Sequence, residues 1–499
     1  MLTEGILHSR LYSRREWLGR SSAGFGLLAL ADLLAAESDR AAQPFAVRPP
    51  HHAAKAKRVI FLYMPGGPSH VDLFDPKPRL LQDNGKPLPF ETPKLERVKP
   101  GNIFASPWKF SQHGQSGTPV SELLPETAAC IDDICVIRSM VADNINHTGA
   151  ALQMCTGEQA FSRPSIGSWL TYGLGTVNQN LPGFVVVSPA SVFQGAQLWS
   201  SSFLPGAYQG TLIRDLKNPI ANLGDPSASP GPQRMKLDAL QRLNDIHKSG
   251  RLIDSELNAR IASFELAFRM QREAPEAFDL AQESPATHQL YGTDKPATEM
   301  FGRQCLMARR LVERGVRFVQ LFDAPANNAW DHHSKIQENL PKRCAAVDKP
   351  IAGLLRDLKA RGLLDDTLVL WGGEFGRTPT AEGGTGREHH PFGFTMWMAG
   401  GGVKGGVVHG ATDEFGWHAV QDKVHVHDLH APSSISWGSI TKSSPSATTE
   451  GISALRTCME RLFTRSSHEK LPSHEWRGLG SRHLPFAARR HCRGWDGFF

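Results

Sequence analysis

Short apolar runs that end in glycine or polar residues recur along the chain. They predict strands at Arg58–Met64, Ile134–Met140, Gly183–Ser188, Arg317–Phe322, Thr367–Trp371 and Thr395–Ala399. Apolar residues at helical spacing predict helices at Ser165–Leu174, Arg303–Val316 and Ala352–Gly362. Short apolar runs bounded by turn residues are typical of strands buried on both faces. Because helices alternate with such strands, we predict an α/β fold with a mostly parallel sheet and helices on both faces.

The longest helical pattern lies in the middle of the chain. Apolar residues recur at helical spacing between 234 and 271, and Ser249–Gly250 interrupts them. We therefore predict an inserted helical hairpin whose apolar stripe packs against the rest of the fold. Residues 76–119 and 189–232 show little periodicity and are rich in turn residues, so we expect them to be loops at the surface.

The N-terminal residues have the layout of a twin-arginine export signal. The sequence SRREWL at 13–18 precedes a weakly apolar stretch, Ala23–Ala36, that ends in small residues. We expect a signal peptide over 1–36, a main domain over 58–430, and export to the periplasm or the cell exterior. An amphipathic N-terminal helix is the alternative. No run of 18 apolar residues occurs, so we expect no permanent membrane span.

The distribution of charge argues against a nucleic-acid partner. The net charge of the chain is +6, and residues 432–499, with ten Lys and Arg against five Asp and Glu, contribute +5 of it. The main domain is therefore close to neutral and lacks the basic excess of nucleic-acid-binding proteins. The cysteines show no zinc-type pairing; Cys130 and Cys135 could form a disulfide or be two buried thiols.

Acidic and imidazole side chains follow four of the predicted strands. They are Asp72 and Asp75, Asn146 and His147, Asp331 and His333, and Glu374 with His389 and His390. In open α/β sheets, ligands bind outside the carboxyl ends of the strands. Mixed carboxylates and imidazoles suit zinc or manganese. Two such ions can hold the attacking and the leaving oxygen of a phosphate or sulfate ester during hydrolysis. We predict one or two divalent ions, with Asp72, Asp331, His333, Glu374 and His390 as ligands.

Several segments also resemble a known superfamily. LLRDLKARGLLDDTLVLWGGEFGRTP at 354–379 resembles the helix, strand and loop that deliver metal ligands in alkaline phosphatases and sulfatases. MPGGPSHVDLFDPKP, NHTGAALQMCTG, RPSIGSWLTYGLG, WDHH and GREHHPFGF resemble a narrower, twin-arginine-exported branch, the family of unknown function numbered fifteen-oh-one. The resemblance covers Arg58–His430 and implies an alkaline phosphatase-like fold. The resemblance does not imply a reaction. The set of carboxylates and histidines described above is what leads us to expect metal-dependent hydrolysis of phosphate or sulfate esters, of small molecules or polysaccharides.

The departures from the superfamily bear on the mechanism. Its Asp-His pair after the strand is replaced by Glu374-Phe375, and the C-x-P-x-R motif of sulfatases is absent. The resemblance places Asn146, His147 and Thr148 near the nucleophile position. Thr148 is the nearest hydroxyl, and water activated by a metal ion is the alternative nucleophile.

Two arginines could take part in substrate binding. Arg377 and Arg387 could hold the substrate anion by a forked contact, or could form structural ion pairs with nearby glutamates. No sequence feature fixes the oligomeric state. The competing function is a non-catalytic secreted protein on the same scaffold that binds acidic polysaccharide.

The sequence after His430 departs from the family. From Pro432 to Trp495 it contains no aspartate and is crowded with serine, whereas the family continues with an apolar helix that begins TILHLLGLDHEKL. Permitted codons for Pro432–Gly451, read two bases later, give ILHLLGLDHEKLTFRYNGR. We therefore predict a frameshift just after His430 and a disordered segment over 432–499, with a naturally divergent tail as the alternative.

Overall fold

The computed structural model describes residues 44–49, 55–93, 95, 99–217, 219, 230–248, 255–325 and 328–430. The predicted signal peptide over 1–36 and the predicted frameshifted segment over 432–499 lie outside the described residues. The main domain predicted over 58–430 falls mostly inside them.

One large sheet lies at the centre of the described chain. The described strands are β1 (Arg58–Tyr63), β2 (Phe110–His113), β3 (Thr118–Ser121), β4 (Ile134–Val141), β5 (Phe184–Val187), β6 (Thr211–Ile213), β7 (Phe318–Phe322), β8 (Thr367–Gly372), β9 (Gly376–Arg377), β10 (His389–His390), β11 (Phe394–Ala399), β12 (Val407–His409), β13 (Ala411–Thr412), β14 (Ala419–Gln421) and β15 (Val424–His425). Nine of them form the sheet, in the order β12, β4, β11, β8, β1, β7, β5 and β6, with β15 also beside β4. The pairs β2–β3, β9–β10 and β13–β14 are small antiparallel ribbons.

Helices cover both faces of the sheet. The described α-helices are α1 (His70–Leu73), α2 (Pro78–Gln82), α3 (Pro125–Ala128), α4 (His147–Thr156), α5 (Ile166–Leu174), α6 (Pro230–Lys248), α7 (Ser255–Phe278), α8 (Pro285–Tyr291), α9 (Glu299–Glu313), α10 (Ile336–Ala360) and α11 (Val426–Leu429). One hydrophobic cluster joins alternate residues of β1 to helices α9 and α10, and a second joins the other β1 residues to α4 and α5. The strand is therefore apolar on both of its faces, as the sequence indicated.

The predicted α/β fold with a mostly parallel sheet is confirmed. Strand β1 pairs in parallel with β7 on one side and with β8 on the other, whereas β11 runs antiparallel to both β8 and β4. The predicted hairpin corresponds to α6 and α7, and residues 249–254 between them are outside the described part. None of the described helices is long and apolar enough to cross a membrane.

Two local expectations have a definite outcome. Helix α10 begins at Ile336 rather than at Ala352, because Pro341 and Pro350 lie inside it and obscured the helical pattern. Cys130 and Cys135 are both buried free thiols, so the disulfide alternative is wrong for this structure.

Candidate metal centre

The polar residues of interest lie where β1, β4, β7 and β8 end. These strands run in the same direction in the sheet, so the loops that follow them meet at one edge. The loop after β1 approaches the loop after β7 very closely. A Cβ atom at Gly66, where φ is +113°, would lie 2.5 Å from the backbone nitrogen of Asp331. Only glycine fits there without a shift of one loop.

Three imidazole rings surround one carboxylate at this edge. The distance from Asp331 Oδ1 is 2.9 Å to His333 Nε2 and 3.3 Å to His389 Nε2. Asp331 Oδ2 lies 3.1 Å from His147 Nε2. The ligand atoms of these four residues all lie within 4.8 Å of one another, close enough to share a metal ion. The side chains of Asp331 and His333 keep 17% and 15% exposure, so the group is open to solvent.

The outer nitrogens of two of the rings indicate which nitrogen carries the proton. His333 Nδ1 contacts the Glu382 carboxylate, and His389 Nδ1 lies 2.7 Å from the carbonyl oxygen of Ile145. Because carboxylate and carbonyl oxygens only accept hydrogen bonds, each Nδ1 carries the hydrogen. In a neutral ring each Nε2 then presents a lone pair, and the two Nε2 atoms are only 2.9 Å apart. A cation between them would relieve that repulsion.

The third ring, that of His147, also carries its hydrogen on Nδ1. His147 Nδ1 lies 2.7 Å from Glu374 Oε1, which also accepts the backbone N–H of Gly66 at 2.8 Å. His147 Nε2 is buried and has no hydrogen-bond partner among the described residues, although it is directed at Asp331. All three rings thus donate Nδ1–H to an oxygen and turn Nε2 inward, which is the arrangement of histidines that bind metals.

The charges around the cluster favour an ionised aspartate and a neutral His389. Burial alone would raise the pKa of Asp331, but the three imidazoles that contact it and the nearby Arg377 lower it far below its usual range. Burial, together with the charges of Arg377 and His147, lowers the pKa of His389 to about 4 against the opposing effect of Asp331. Burial also opposes the charging of His147, yet Asp331 and Glu374 raise its pKa overall. A carboxylate beside a neutral imidazole is a suitable ligand pair.

The residues present fit a divalent metal ion. Three imidazole nitrogens and one carboxylate oxygen are ligands that zinc accepts, and manganese tolerates the same donor types. A second group, His333, Glu382 and Glu388, shares His333 with the first; its contacts are those of a hydrogen-bonded outer layer. A third group, Asp143 with His425 and His427, is partly exposed. There His425 Nδ1 accepts the backbone N–H of His427, so the ring directs its N–H, and not a lone pair, toward Asp143.

Arg377 belongs to the wall of the cluster. It is fully buried, and its Nε and Nη1 donate to the carbonyl oxygens of Gly67 and Arg387, each at 3.1 Å. Its Nη2 donates to the carbonyl oxygen of Gly66 and lies 2.5 Å from Asp331 Oδ1. Every nitrogen of the guanidinium therefore has a protein acceptor, and these contacts hold Arg377 in place so that it orients Asp331.

Every guanidinium nitrogen of Arg387 also donates to a protein acceptor. Its Nε and Nη2 form a forked pair with Asp72 at 2.7 and 2.9 Å, and neither side chain is exposed to solvent. Its Nη1 donates to the carbonyl oxygens of Phe104 and Thr378, and the guanidinium lies 4.6 Å from the centre of the Phe104 ring. Asp72 is thus the partner of an arginine rather than a member of the metal-binding group. The partner of Arg387 is an aspartate, not a nearby glutamate as in the structural alternative.

Two further predicted residues lie at the start of α4. Asn146 is the N-cap of the helix, and its side chain accepts the backbone N–H of Thr148 at 2.9 Å. Thr148 is exposed and stands next to His147, which is the first residue of the helix. The partial positive charge of a helix N-terminus therefore lies beside the cluster.

The structure places His390 away from the cluster. Its Nε2 lies 2.6 Å from the carbonyl oxygen of Trp417, and its ring stacks at 6.0 Å against that of His70. Strand β10 contains only His389 and His390, and successive side chains of a strand point to opposite faces. Only one of the two histidines can therefore face Asp331, and in the structure it is His389.

Among the predicted ligands, the structure brings Asp331 and His333 together, and it places Glu374 behind His147 as a hydrogen-bond partner. It does not bring Asp72 or His390 to the group. His147, assigned above to the nucleophile region, is in a ligand position. The sequence argument missed His389 as a ligand and Glu382 as an outer partner. The His389-His390 pair was the available signal, but the side that each residue faces depends on the register of a short ribbon.

Comparisons with known proteins bear on the family and on the fold. A family model described as "Protein of unknown function (DUF1501)" matches residues 56–442. No curated protein matches the chain. Among solved structures, the chain is similar to alkaline phosphatase from the Antarctic bacterium TAB5, with 10% identity, a TM-score of 0.29, and coverage of 70% of this chain and 92% of that chain.

Two other solved structures show a similar degree of likeness. Lipoteichoic acid synthase LtaP from Listeria monocytogenes has 11% identity and a TM-score of 0.32, with 82% of this chain and 79% of that chain covered. A sulfatase from Pseudoalteromonas sp. has 13% identity and a TM-score of 0.30, with 84% and 72% covered.

Proposed function

The chain belongs to the DUF1501 family, and we propose that it is a metal-dependent hydrolase of phosphate or sulfate esters. The observation that supports this proposal most directly is the convergence of three Nε2 atoms on Asp331, each on a ring whose Nδ1 is already bound to an oxygen. Such rings are ready to accept a cation without rearrangement.

The proposed ligands are His147, Asp331, His333 and His389, with zinc as the first candidate metal and manganese as the second. A bound ion of this kind supplies a Lewis acid that polarises an ester oxygen and lowers the pKa of water. Arg377 holds the Asp331 carboxylate in place through Nη2. The number of ions that the site holds is an outcome of the experiment below.

The surroundings of the proposed ligands suit an anionic substrate. Helix α4 begins at His147, so its N-terminal partial charge favours a phosphate or sulfate group beside the cluster. Phe193 is 56% exposed and its ring stacks over that of His147, which gives the substrate an apolar surface next to the reacting group. The Thr148 hydroxyl is the nucleophile candidate from this chain, and an activated water is the alternative.

We also propose that the protein acts outside the cytoplasm. The support is the SRREWL sequence at 13–18 and the apolar stretch after it. Twin-arginine export carries folded proteins, so the metal could be loaded before export. A fusion of residues 1–36 to a reporter, with Arg14→Lys and Arg15→Lys as the matched control, tests this. Export that does not depend on the arginine pair would contradict it.

The test of hydrolysis combines metal analysis with a substrate screen. The full chain, stripped of metal and reloaded with zinc or manganese, is assayed on aryl phosphate monoesters, aryl phosphate diesters and aryl sulfates. We expect turnover of at least one class that depends on the metal and disappears in Asp331→Ala. Absence of metal binding by the wild-type protein would overturn the proposal.

One observation favours a second candidate function. Arg377 and Arg387 are buried, and every guanidinium nitrogen of both already donates to a protein acceptor, so both are engaged in structural contacts instead of an anion contact. A secreted protein that binds acidic polysaccharide without hydrolysing it needs no such arginine beside the metal. Tight polysaccharide binding by metal-loaded protein, together with no turnover of any ester, would support this alternative.

A further inference from the structure

Two buried polar atoms next to the cluster lack hydrogen-bond partners among the described residues. They are the Tyr63 hydroxyl and Glu374 Oε2. Tyr63 is the last residue of β1 and is 1% exposed, and its ring packs against Phe61 and Phe322 with centroids 5.4 and 5.0 Å apart. An unpaired buried hydroxyl or carboxylate oxygen is costly, so each atom needs a partner.

The backbone places the two residues side by side. Tyr63 pairs with Gly372 of β8, two residues before Glu374, and Gly66, three residues after Tyr63, donates its backbone N–H to Glu374. A tyrosine hydroxyl can donate a hydrogen bond, and a glutamate oxygen can accept one. Cys155 is the other polar neighbour of the hydroxyl, but its sulfur already accepts Gln320 Nε2 at 3.4 Å. A hydrogen bond from the Tyr63 hydroxyl to Glu374 Oε2 would satisfy both unpaired atoms.

The other oxygen of the same carboxylate is already in use. Glu374 Oε1 accepts from His147 Nδ1 at 2.7 Å and from the Gly66 backbone at 2.8 Å. A carboxylate held through only one oxygen can still rotate about its terminal bond, and such a rotation would also turn the imidazole that it holds. A donor on Oε2 would fix the plane of the carboxylate and, through it, the direction of His147 Nε2.

We propose that Tyr63 is a positioning residue for the metal centre. Its hydroxyl donates to Glu374 Oε2, Glu374 Oε1 holds His147 Nδ1–H, and this chain directs His147 Nε2 toward the metal. The inference rests on the proposed metal centre but not on any particular substrate. It adds a residue of β1 itself to a site whose other members follow the ends of β4, β7 and β8.

The experiment measures metal binding rather than turnover. Zinc affinity is determined by competition with a chelator, and the visible spectrum of the cobalt-loaded protein reports the ligand geometry. We expect Tyr63→Phe to weaken zinc binding by about tenfold, at the lower end of outer-partner effects, and to shift the cobalt spectrum. The variant should fold, because it removes only the hydroxyl and keeps the contacts of the ring with Phe61 and Phe322.

Tyr291→Phe is the matched control. Tyr291 is also fully buried, but its hydroxyl donates to Asp357 at 2.9 Å, a residue of α10 on the opposite side of the sheet from α4. We expect this control to lower the thermal midpoint through loss of that hydrogen bond and to leave zinc affinity and the cobalt spectrum unchanged. A purely structural role of Tyr63 would make the two variants behave alike.

A double-mutant cycle with Glu374→Gln tests the route of the effect. If Tyr63 acts through Glu374, Tyr63→Phe should have no further effect on zinc affinity in the Glu374→Gln background. Zinc affinity of Tyr63→Phe within twofold of wild type, or additive losses in the cycle, would overturn the inference while leaving the metal centre in place. A wild-type protein that binds no zinc, cobalt or manganese would overturn the metal centre and this inference with it.

Discussion

The buried pair Asp72–Arg387 allows a sharp test of which polar residues serve structure and which serve metal binding. The sequence placed Asp72 among the metal ligands and Arg387 among the anion-binding residues, whereas in the structure each is the partner of the other. We predict that Asp72→Asn destabilises the fold strongly and leaves the metal content unchanged. Asn keeps one acceptor oxygen but presents an amide N–H₂ to the other guanidinium nitrogen.

The magnitude follows from the contacts that the substitution removes. Asp72 accepts two charge-assisted hydrogen bonds from Arg387, and each is worth roughly 1.5–3 kcal/mol. Breaking a fully buried ion pair by neutralising one partner typically costs about 3–5 kcal/mol, because the remaining charge is left uncompensated. Arg387 keeps its two carbonyl acceptors on Nη1 and its contact with Phe104, which limits the loss. We therefore expect a decrease of about 4 kcal/mol in the free energy of unfolding.

The assay is denaturant unfolding of the metal-free and metal-loaded protein at pH 7. Asp83→Asn is the control, because Asp83 pairs with Arg79 and Lys86 at the surface, where an ion pair contributes little. A second variant, Asp72→Leu with Arg387→Met, should recover part of the stability, since an apolar pair can replace a buried ion pair. Normal stability of Asp72→Asn combined with loss of bound metal would refute the structural assignment and return Asp72 to the ligands.

Three further predictions concern single side chains. His389→Ala should lower zinc affinity by more than about a hundredfold in a chelator competition, whereas the adjacent His390→Ala should not. Burial would raise the pKa of Glu283, but hydrogen bonds from two arginines of α9 lower it, so its stabilising effect is present above pH about 4.3 and is lost as the pH falls further. The unfolding midpoints of wild type and Glu283→Gln should accordingly converge on acidification; a gap that widens would contradict this. Asn146→Ala removes the acceptor of the Thr148 N–H and should cost about 1 kcal/mol in thermal unfolding.

The strands that the sequence predicted well are those buried on both faces. Every residue of β1 after Arg58 is buried, so its apolar run is visible without knowledge of its neighbours. Strand β6, with the sequence TLI, and strand β12, with VVH, lie at the ends of the sheet order and are only partly buried, so three residues give no usable pattern. The antiparallel direction of β11 is not encoded in its own residues, because a strand buried on both faces looks the same in either direction.

The sequence predicted where in the fold the site lies, but it predicted only some of the ligands. The carboxyl ends of the strands did identify the edge where Asp331, His333 and Glu374 lie. The direction of each side chain could not be read from the sequence, because it depends on which groups satisfy its polar atoms. Asp72 is bound by Arg387 in a buried ion pair and is not part of the cluster. His389 turns inward because its Nδ1 reaches the carbonyl oxygen of Ile145, 244 residues away in the chain.

The contacts of the cluster link loops that are far apart in the sequence. His147 and Glu374 are 227 residues apart, and Asp331 contacts Arg377 across a separation of 46. Without a cation, Asp331 is contacted by the guanidinium of Arg377, and the Nε2 lone pairs of His333 and His389 face each other. A bound ion would replace repulsion between neighbouring loops with attraction, so its binding free energy would also be folding free energy for this edge of the sheet. The side-chain positions that suit the proposed chemistry would therefore also make the stability of these loops depend on a bound metal ion.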